Sequence, residues 1–158
     1  MNGFDGQFMR RAMELAREGM DNGAGGPFGA VVVKDDRIIS EGSNEVASTN
    51  DPTAHAEIVA IRRACQNLNS FQLTDCDIYA TCEPCPMCLG AIYWARPRAV
   101  YFAATRDDAA AIGFDDAFIY EQIPLPHNQR TIPQIYKPNS EIKALMGTWH
   151  TKTDKVEY

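Results

Sequence analysis

Three side chains that commonly bind zinc lie in two short segments of the sequence. His55 belongs to residues 52–57, and Cys85 and Cys88 follow about thirty residues later. Two thiols and an imidazole suit zinc, whereas calcium and magnesium prefer oxygen ligands. Pro86 is typical of the first turn of a helix, where its missing N–H costs nothing. On that turn two cysteines three residues apart share a face, so the segments predict one zinc site.

The number of ligands indicates the kind of zinc site. Structural sites use four protein ligands, whereas catalytic sites use three and leave one position for water. His55, Cys85 and Cys88 make three, and Glu57 follows the histidine by two residues. Its carboxylate can exchange protons with that water. We therefore predict a hydrolytic site in which Glu57 is the general acid and base.

Cys82 offers an alternative, because it precedes Cys85 by three residues and could close a structural zinc site. An iron–sulfur cluster would need a fourth cysteine at a suitable spacing, and none follows. Cys82 ends an apolar, strand-like run, and free cysteines are often buried, so we expect a core residue. A non-catalytic zinc-binding module is the alternative from another functional class. Such a module would not need the proton carrier at Glu57.

Composition predicts one soluble domain and a small substrate. The chain has 158 residues, of which 45% are hydrophobic and 23% charged. No apolar run approaches the ~20 residues of a membrane span, and no signal region is evident, so we expect a cytoplasmic protein. Five cysteines, an odd number, favour metal and thiol use over disulfides. A net charge of −6 argues against a nucleic-acid partner.

The elements that position these residues alternate between helix and strand. Apolar periodicity predicts helices at residues 5–21, 53–68 and 85–96 and strands at 30–33, 37–42 and 99–103, with a short strand within 71–81. Residues 44–52 are expected to form a loop, and the strand at 99–103 to be buried. A short helix at 107–112, a proline-rich extended segment and a last helix capped by Ser140 follow. Strand–helix–strand crossovers predict an α/β fold with a mixed sheet covered by helices.

The zinc segments carry a pattern, His-x-Glu with Pro-Cys-x-x-Cys, that is typical of zinc nucleobase deaminases. Residues 26–101 resemble the cytidine deaminase superfamily of zinc hydrolases. Further segments resemble its bacterial guanine deaminase branch: residues 50–57, 89–95, 113–120 and the terminal Glu157-Tyr158. This resemblance implies a three-layer α/β/α sandwich with a mixed five-stranded sheet and one zinc ion per subunit. It also implies a single domain over residues 1–158 and a homodimer in which segment 139–158 is swapped onto the partner.

The resemblance also implies which residues contact the substrate. They are Phe28, Asn44, the backbone of Ala56, Trp94, Phe114, Asp116 and Tyr158. Asp116 suits the N–H groups along the N1 and N2 edge of guanine, and Glu121 is a second acidic candidate by its chemistry. The alternatives are a solvated acidic loop for Asp116 and Glu121, plain core packing for Phe28, and a turn cap for Asn44.

The implied reaction is hydrolytic deamination of guanine to xanthine and ammonia, in purine catabolism or salvage. Glu57 would take a proton from water and pass protons to the ring nitrogen and the leaving amine. A tRNA adenosine deaminase shares the zinc segments and is the main alternative, but it would favour a basic RNA-binding surface. A cytidine or cytosine deaminase is a further alternative.

Overall fold

The computed structural model describes residues 3–158, which form two units. The first unit ends at Asp116 and the second comprises Ala117–Tyr158. The first contains α1 Gly6–Asp21, β1 Gly29–Lys34, β2 Arg37–Ser43, α2 Val46–Thr49, α3 Ala56–Leu68, β3 Asp77–Cys82, α4 Pro86–Ala95, β4 Ala99–Ala104 and α5 Arg106–Ala111. The second contains α6 Ala117–Gln122, a 3₁₀ turn His127–Gln129 and α7 Ser140–Thr151.

The sheet is mixed, as predicted, with strand order β2-β1-β3-β4. Strand β1 pairs antiparallel with both β2 and β3, and β3 pairs parallel with β4. The prediction of a fifth strand is wrong, since the sheet in residues 3–158 has four strands. Beyond β4 the chain lacks a β-branched run, and four prolines (Pro124, Pro126, Pro133, Pro138) remove N–H donors that a strand would need.

The two faces of the sheet bury different sets of side chains, because successive strand residues point to opposite sides. Val31 and Val33 of β1 pack with Phe8 of α1. Val32, the residue between them, packs with α3 and with Ile92 of α4. Helix α1 therefore covers one face, while α3 and α4 cover the other. This confirms the three-layer α/β/α architecture.

The hairpin and the start of α1 follow the sequence closely. Asp35 and Asp36, with φ of 50° and 58°, form a two-residue turn between β1 and β2. Left-handed conformations at both positions match the twist of the strands they join. Asp5 caps α1 by accepting a hydrogen bond from the backbone N–H of Gln7. Local sequence was sufficient for these features.

Three local predictions are wrong. Helix α3 begins at Ala56 and not near Thr53, because Asp51 accepts the Thr53 N–H at 2.8 Å and forms a separate turn. The predicted loop contains the one-turn helix α2. Strand β4 is not buried: it lies at the edge of the sheet with a neighbour on one side only, and Phe102 is 49% exposed.

The second unit consists of short helices joined by extended chain. Asn139, and not Ser140, caps α7 by accepting the Ile142 N–H at 3.0 Å. Neither α6 nor α7 buries a residue, although this unit carries many large apolar side chains. Among residues 3–158, no helix combines the length and the hydropathy that crossing a bilayer requires.

Candidate active site

The zinc ligands lie at the beginnings of two helices on the same face of the sheet. His55 is the N-cap of α3, Cys85 is the N-cap of α4, and Cys88 lies in the first turn of α4. The His55 Nδ1 atom lies 3.6 Å from Cys85 Sγ and 3.5 Å from Cys88 Sγ. Ligand atoms of a tetrahedral zinc site with these donors lie about 3.5–3.8 Å apart. The three predicted ligands therefore lie together at a spacing that fits zinc.

Cys82 is not part of this cluster. Within residues 3–158, the group that can hold a metal consists of His55, Cys85 and Cys88. The Cys82 thiol points to the carbonyl of Thr105 at 3.5 Å, and burial raises its pKa to about 11. Three protein ligands leave a coordination position for water, which favours a catalytic site over a structural one.

The ligands have unequal affinities for protons. Hydrogen bonds with Cys88 and His55 lower the pKa of the Cys85 thiol to about 4, against the effect of burial. The hydrogen bond with Cys85 raises the pKa of His55. The pKa of Cys88 is raised by its contact with Cys85 and by burial. Zinc binds cysteine as the thiolate, so metal binding at this cluster releases protons.

Glu57 lies beside the cluster in the first turn of α3 and is 8% exposed. Burial raises the pKa of its carboxyl group, and the carboxyl contacts the Cys88 thiol. A carboxyl group with raised proton affinity, next to a three-ligand zinc site, is suited to accept a proton and return it. Its role as general acid and base stays a prediction.

Asp116 is the acidic candidate that lies near the ligands in the first unit. Burial and the neighbouring Cys85 raise the pKa of its carboxyl group, and the side chain is half-buried. Glu121 lies in α6 and Tyr158 ends the chain, and both are exposed members of the second unit. Their roles in the site stay predictions.

Two aromatic rings and an amide form a further group in the first unit. Phe28 and Phe114 meet edge-on, with ring centroids 4.9 Å apart at 90°. The N–H of Asn44 donates to the carbonyl of Phe28 at 3.0 Å, and its Oδ1 accepts the Val46 N–H at 3.2 Å. Asn44 is 5% exposed, so its Nδ2 group is the part that can be offered to a ligand. Asn44 thus does cap a turn, one of its two predicted roles.

The other predicted contacts lie on the ligand helices. Ala56 follows His55 directly and is 1% exposed, and its backbone contact with the substrate stays a prediction. Trp94 is 64% exposed and lies near the end of α4, about two turns beyond the ligand cysteines. Its substrate contact stays a prediction.

Sequence reasoning missed the contacts of Glu83, which precedes the ligand helix by three residues. Its N–H donates to the carbonyl of Ala104 at 2.8 Å, and its carboxylate accepts the Arg106 N–H at 3.1 Å. These bonds tie the loop before Cys85 to the end of β4. The partners are more than twenty residues away, so no local pattern indicates them.

Residues 3–104 match the family described as the cytidine and deoxycytidylate deaminase zinc-binding region. The chain belongs to this family of zinc-dependent deaminases and is a hydrolytic enzyme. The match includes all three zinc ligands and Glu57.

Two relatives resemble the chain over nearly its full length. Guanine deaminase of Bacillus subtilis is 56% identical over 151 residues, which are 96% of this chain and 97% of the relative. A tRNA-specific adenosine deaminase of Aquifex aeolicus is 42% identical over 145 residues, 92% and 93% of the two chains. The X-ray structure of guanine deaminase from Bacillus subtilis matches with a TM-score of 0.95 and 54% identity, covering 100% of this chain and 99% of that one.

Proposed function

We propose that the protein deaminates guanine to xanthine and ammonia. The observation that carries the reaction type is the buried carboxyl of Glu57 beside the cluster of His55, Cys85 and Cys88. The choice of guanine is supported by the nearly full-length similarity to the guanine deaminase of Bacillus subtilis.

The residues of the chain account for the proton transfers. When bound, zinc supplies a Lewis acid that brings the pKa of a coordinated water towards neutrality. Glu57 accepts a proton from the attacking water, whose oxygen becomes bonded to C2 of guanine. The same carboxyl group gives that proton to a ring nitrogen. It then takes the proton of the new hydroxyl group on C2 and gives it to the amine, which leaves as ammonia when the C2–N bond breaks and C2=O forms. Guanine and water thus yield xanthine and ammonia, and Glu57 returns to its starting state.

The base is held by groups that match its chemistry. The carboxylate of Asp116 accepts hydrogen bonds from the N1 and N2 edge of guanine, which presents only donors there. The ring of Phe28 packs on the flat base, with Phe114 beside it. Asn44 donates through Nδ2, and the backbone of Ala56 adds a polar contact next to the zinc ligands.

The active form is a homodimer in which segment 139–158 is exchanged between subunits. Support comes from apolar side chains that have no buried position: Leu89, Tyr93 and Trp94 on α4, and Leu145, Met146 and Trp149 on α7 are 38–75% exposed. The exchange would bring Tyr158 to the site of the partner subunit. Removing residues 140–158 should abolish turnover while zinc stays bound. Full activity of the truncated protein would contradict the exchange.

Deamination of tRNA adenosine is the second candidate, and the similarity to the Aquifex aeolicus enzyme favours it. The net charge of −6 argues against it, because a polyanion binds best to a basic surface.

The five free thiols, two of them ligands, suit a reducing cytoplasm.

Ammonia release from a panel of substrates tests these proposals. The zinc-loaded protein is incubated with guanine, adenine, cytosine, their nucleosides and tRNA. We expect turnover of guanine in preference to every other compound. Faster release from tRNA than from guanine would contradict the proposal and support the second candidate.

A further inference from the structure

Gly26 lies where the two aromatic rings of the site meet. A Cβ atom added there would lie 2.7 Å from Phe114 Cζ and 3.0 Å from Phe28 Cε2. Both distances are shorter than the optimal separation of two carbon atoms, about 3.5–4.0 Å, so the added atom would overlap sterically with both rings. A side chain at position 26 would therefore force the Phe28–Phe114 ring pair out of its observed arrangement.

The backbone itself does not require glycine at this position. Among the described residues, the glycines with positive φ are Gly23 and Gly113. The N–H of Phe28 donates to the carbonyl of Gly26 at 2.8 Å, which holds position 26 close to the ring that follows. The rings, and not the backbone conformation, therefore exclude a larger residue.

The neighbouring glycine has a different environment. A Cβ atom at Gly25 would lie 2.5 Å from the backbone oxygen of Asn44 as well as against its amide. Backbone cannot move aside cheaply, so a change at Gly25 would strain the fold. At Gly26 the closest neighbour is the tip of Phe114, a ring that is 45% exposed and can swing towards solvent. A change at Gly26 can thus move a side chain without unfolding the protein.

We propose that Gly26 is a positioning residue for substrate binding, because it sets the geometry of the Phe28–Phe114 ring pair. Its bare Cα lets Phe114 rest edge-on against Phe28, and so fixes the aromatic surface that is offered to the flat base. This inference rests on the proposed function, which places both rings against guanine. Gly26 itself need not touch the substrate, because it acts through the two rings.

The consequence for kinetics is selective. Displacing the rings weakens the packing of the base but leaves the zinc ligands and Glu57 in place. Ground-state binding should therefore suffer more than the proton transfers, so KM rises more than kcat falls. The loss of one aromatic contact corresponds to about 2- to 10-fold in affinity.

The variant Gly26→Ala tests the inference, with Gly6→Ala as the matched control. At Gly6 the nearest atom to an added Cβ is 3.9 Å away, an ordinary contact. Phe114→Leu removes the ring tip that the new methyl group would strike. The double variant Gly26→Ala/Phe114→Leu therefore separates a ring-positioning effect from a general one.

Three measurements are made on the zinc-loaded proteins: zinc content and Tm, steady-state kinetics with guanine, and calorimetric binding of hypoxanthine, a purine without an amino group to lose. For Gly26→Ala we expect parent zinc content, a KM raised about 2- to 10-fold and an equal loss of hypoxanthine affinity. Gly6→Ala should match the parent. In the Phe114→Leu background, adding Gly26→Ala should raise KM by a smaller factor than it does in the parent, because only the 3.0 Å contact with Phe28 Cε2 is left.

The failures of the inference and of the proposed function are distinguishable. A Gly26→Ala protein with unchanged KM and hypoxanthine affinity, or with the same loss in both Phe114 backgrounds, overturns the positioning role alone. A parent that binds hypoxanthine but does not deaminate guanine overturns the proposed function. In that case the hypoxanthine affinities of the parent and of Gly26→Ala still decide the role of Gly26. A parent that neither binds nor deaminates purine bases overturns both.

Discussion

Replacing Glu57 with glutamine removes the proton carrier while keeping the shape of the side chain. General acid–base catalysis is typically worth about 10²–10⁴-fold in rate. Two features place Glu57 in the upper half of this range. It serves several transfers in one cycle, and at 8% exposure bulk water has little access to replace it. We expect Glu57→Gln to lower kcat at least ~10³-fold, about 4 kcal/mol in activation free energy.

Stability should respond differently from activity. Glutamine fills the same volume and buries no charge, so the free energy of unfolding should not fall. Glu41→Gln is the matched control, because Glu41 lies on β2, away from the zinc ligands. Its carboxylate accepts two hydrogen bonds from Arg11, at 2.7 and 2.9 Å. This partly exposed pair is worth about 0.5 kcal/mol, so the control should lose a little stability and keep its activity.

The assay compares guanine turnover, zinc content and Tm for the parent and both variants. The two variants should differ in opposite ways. Glu57→Gln should have a lower kcat and the Tm of the parent, whereas Glu41→Gln should have the kcat of the parent and a slightly lower Tm. A kcat for Glu57→Gln within about tenfold of the parent, with zinc confirmed, would falsify the proton-transfer role.

Three further predictions concern the ligands, pH and the metal. Cys85→Ala should lose zinc and activity, while Cys82→Ala should keep both; release of zinc from Cys82→Ala, measured by metal analysis, would show that it is a ligand. The hydrogen bond from Arg11 lowers the pKa of Glu41 below its ordinary value of 4.5. Because the folded state has the lower pKa, the pair stabilises the protein above about pH 4.5 and loses this effect as pH falls through the folded pKa. The Tm difference between the parent and Glu41→Gln should therefore be full at pH 6 and shrink as the pH falls below 4.5 through the folded pKa; a difference that does not shrink in acid would show that it does not come from ionisation. Chelation of zinc should lower Tm, since metal binding energy is coupled to folding, and an unchanged Tm would contradict that coupling.

The sequence alone determined what depends on neighbours along the chain. The types and spacing of Cys85 and Cys88, with Pro86 between them, predicted a zinc-binding helix start because i and i+3 residues share a face. The helix at Gly6–Asp21 and the hairpin turn at Asp35-Asp36 follow from capping and turn chemistry in the same way. The zinc segments also carry the family resemblance, which the match over residues 3–104 confirms.

The tertiary structure decided which distant segments meet. His55 joins the two cysteines because α3 and α4 pack on one face of the sheet, and Asp116 approaches Cys85 across thirty-one positions. The contact of Gly26 with Phe114 spans eighty-eight positions. Local periodicity shows that a residue will be buried, but not against which partner. Partners are selected by strand order and by packing of the whole core, so the four-stranded sheet and the ring pair appear only in the folded chain.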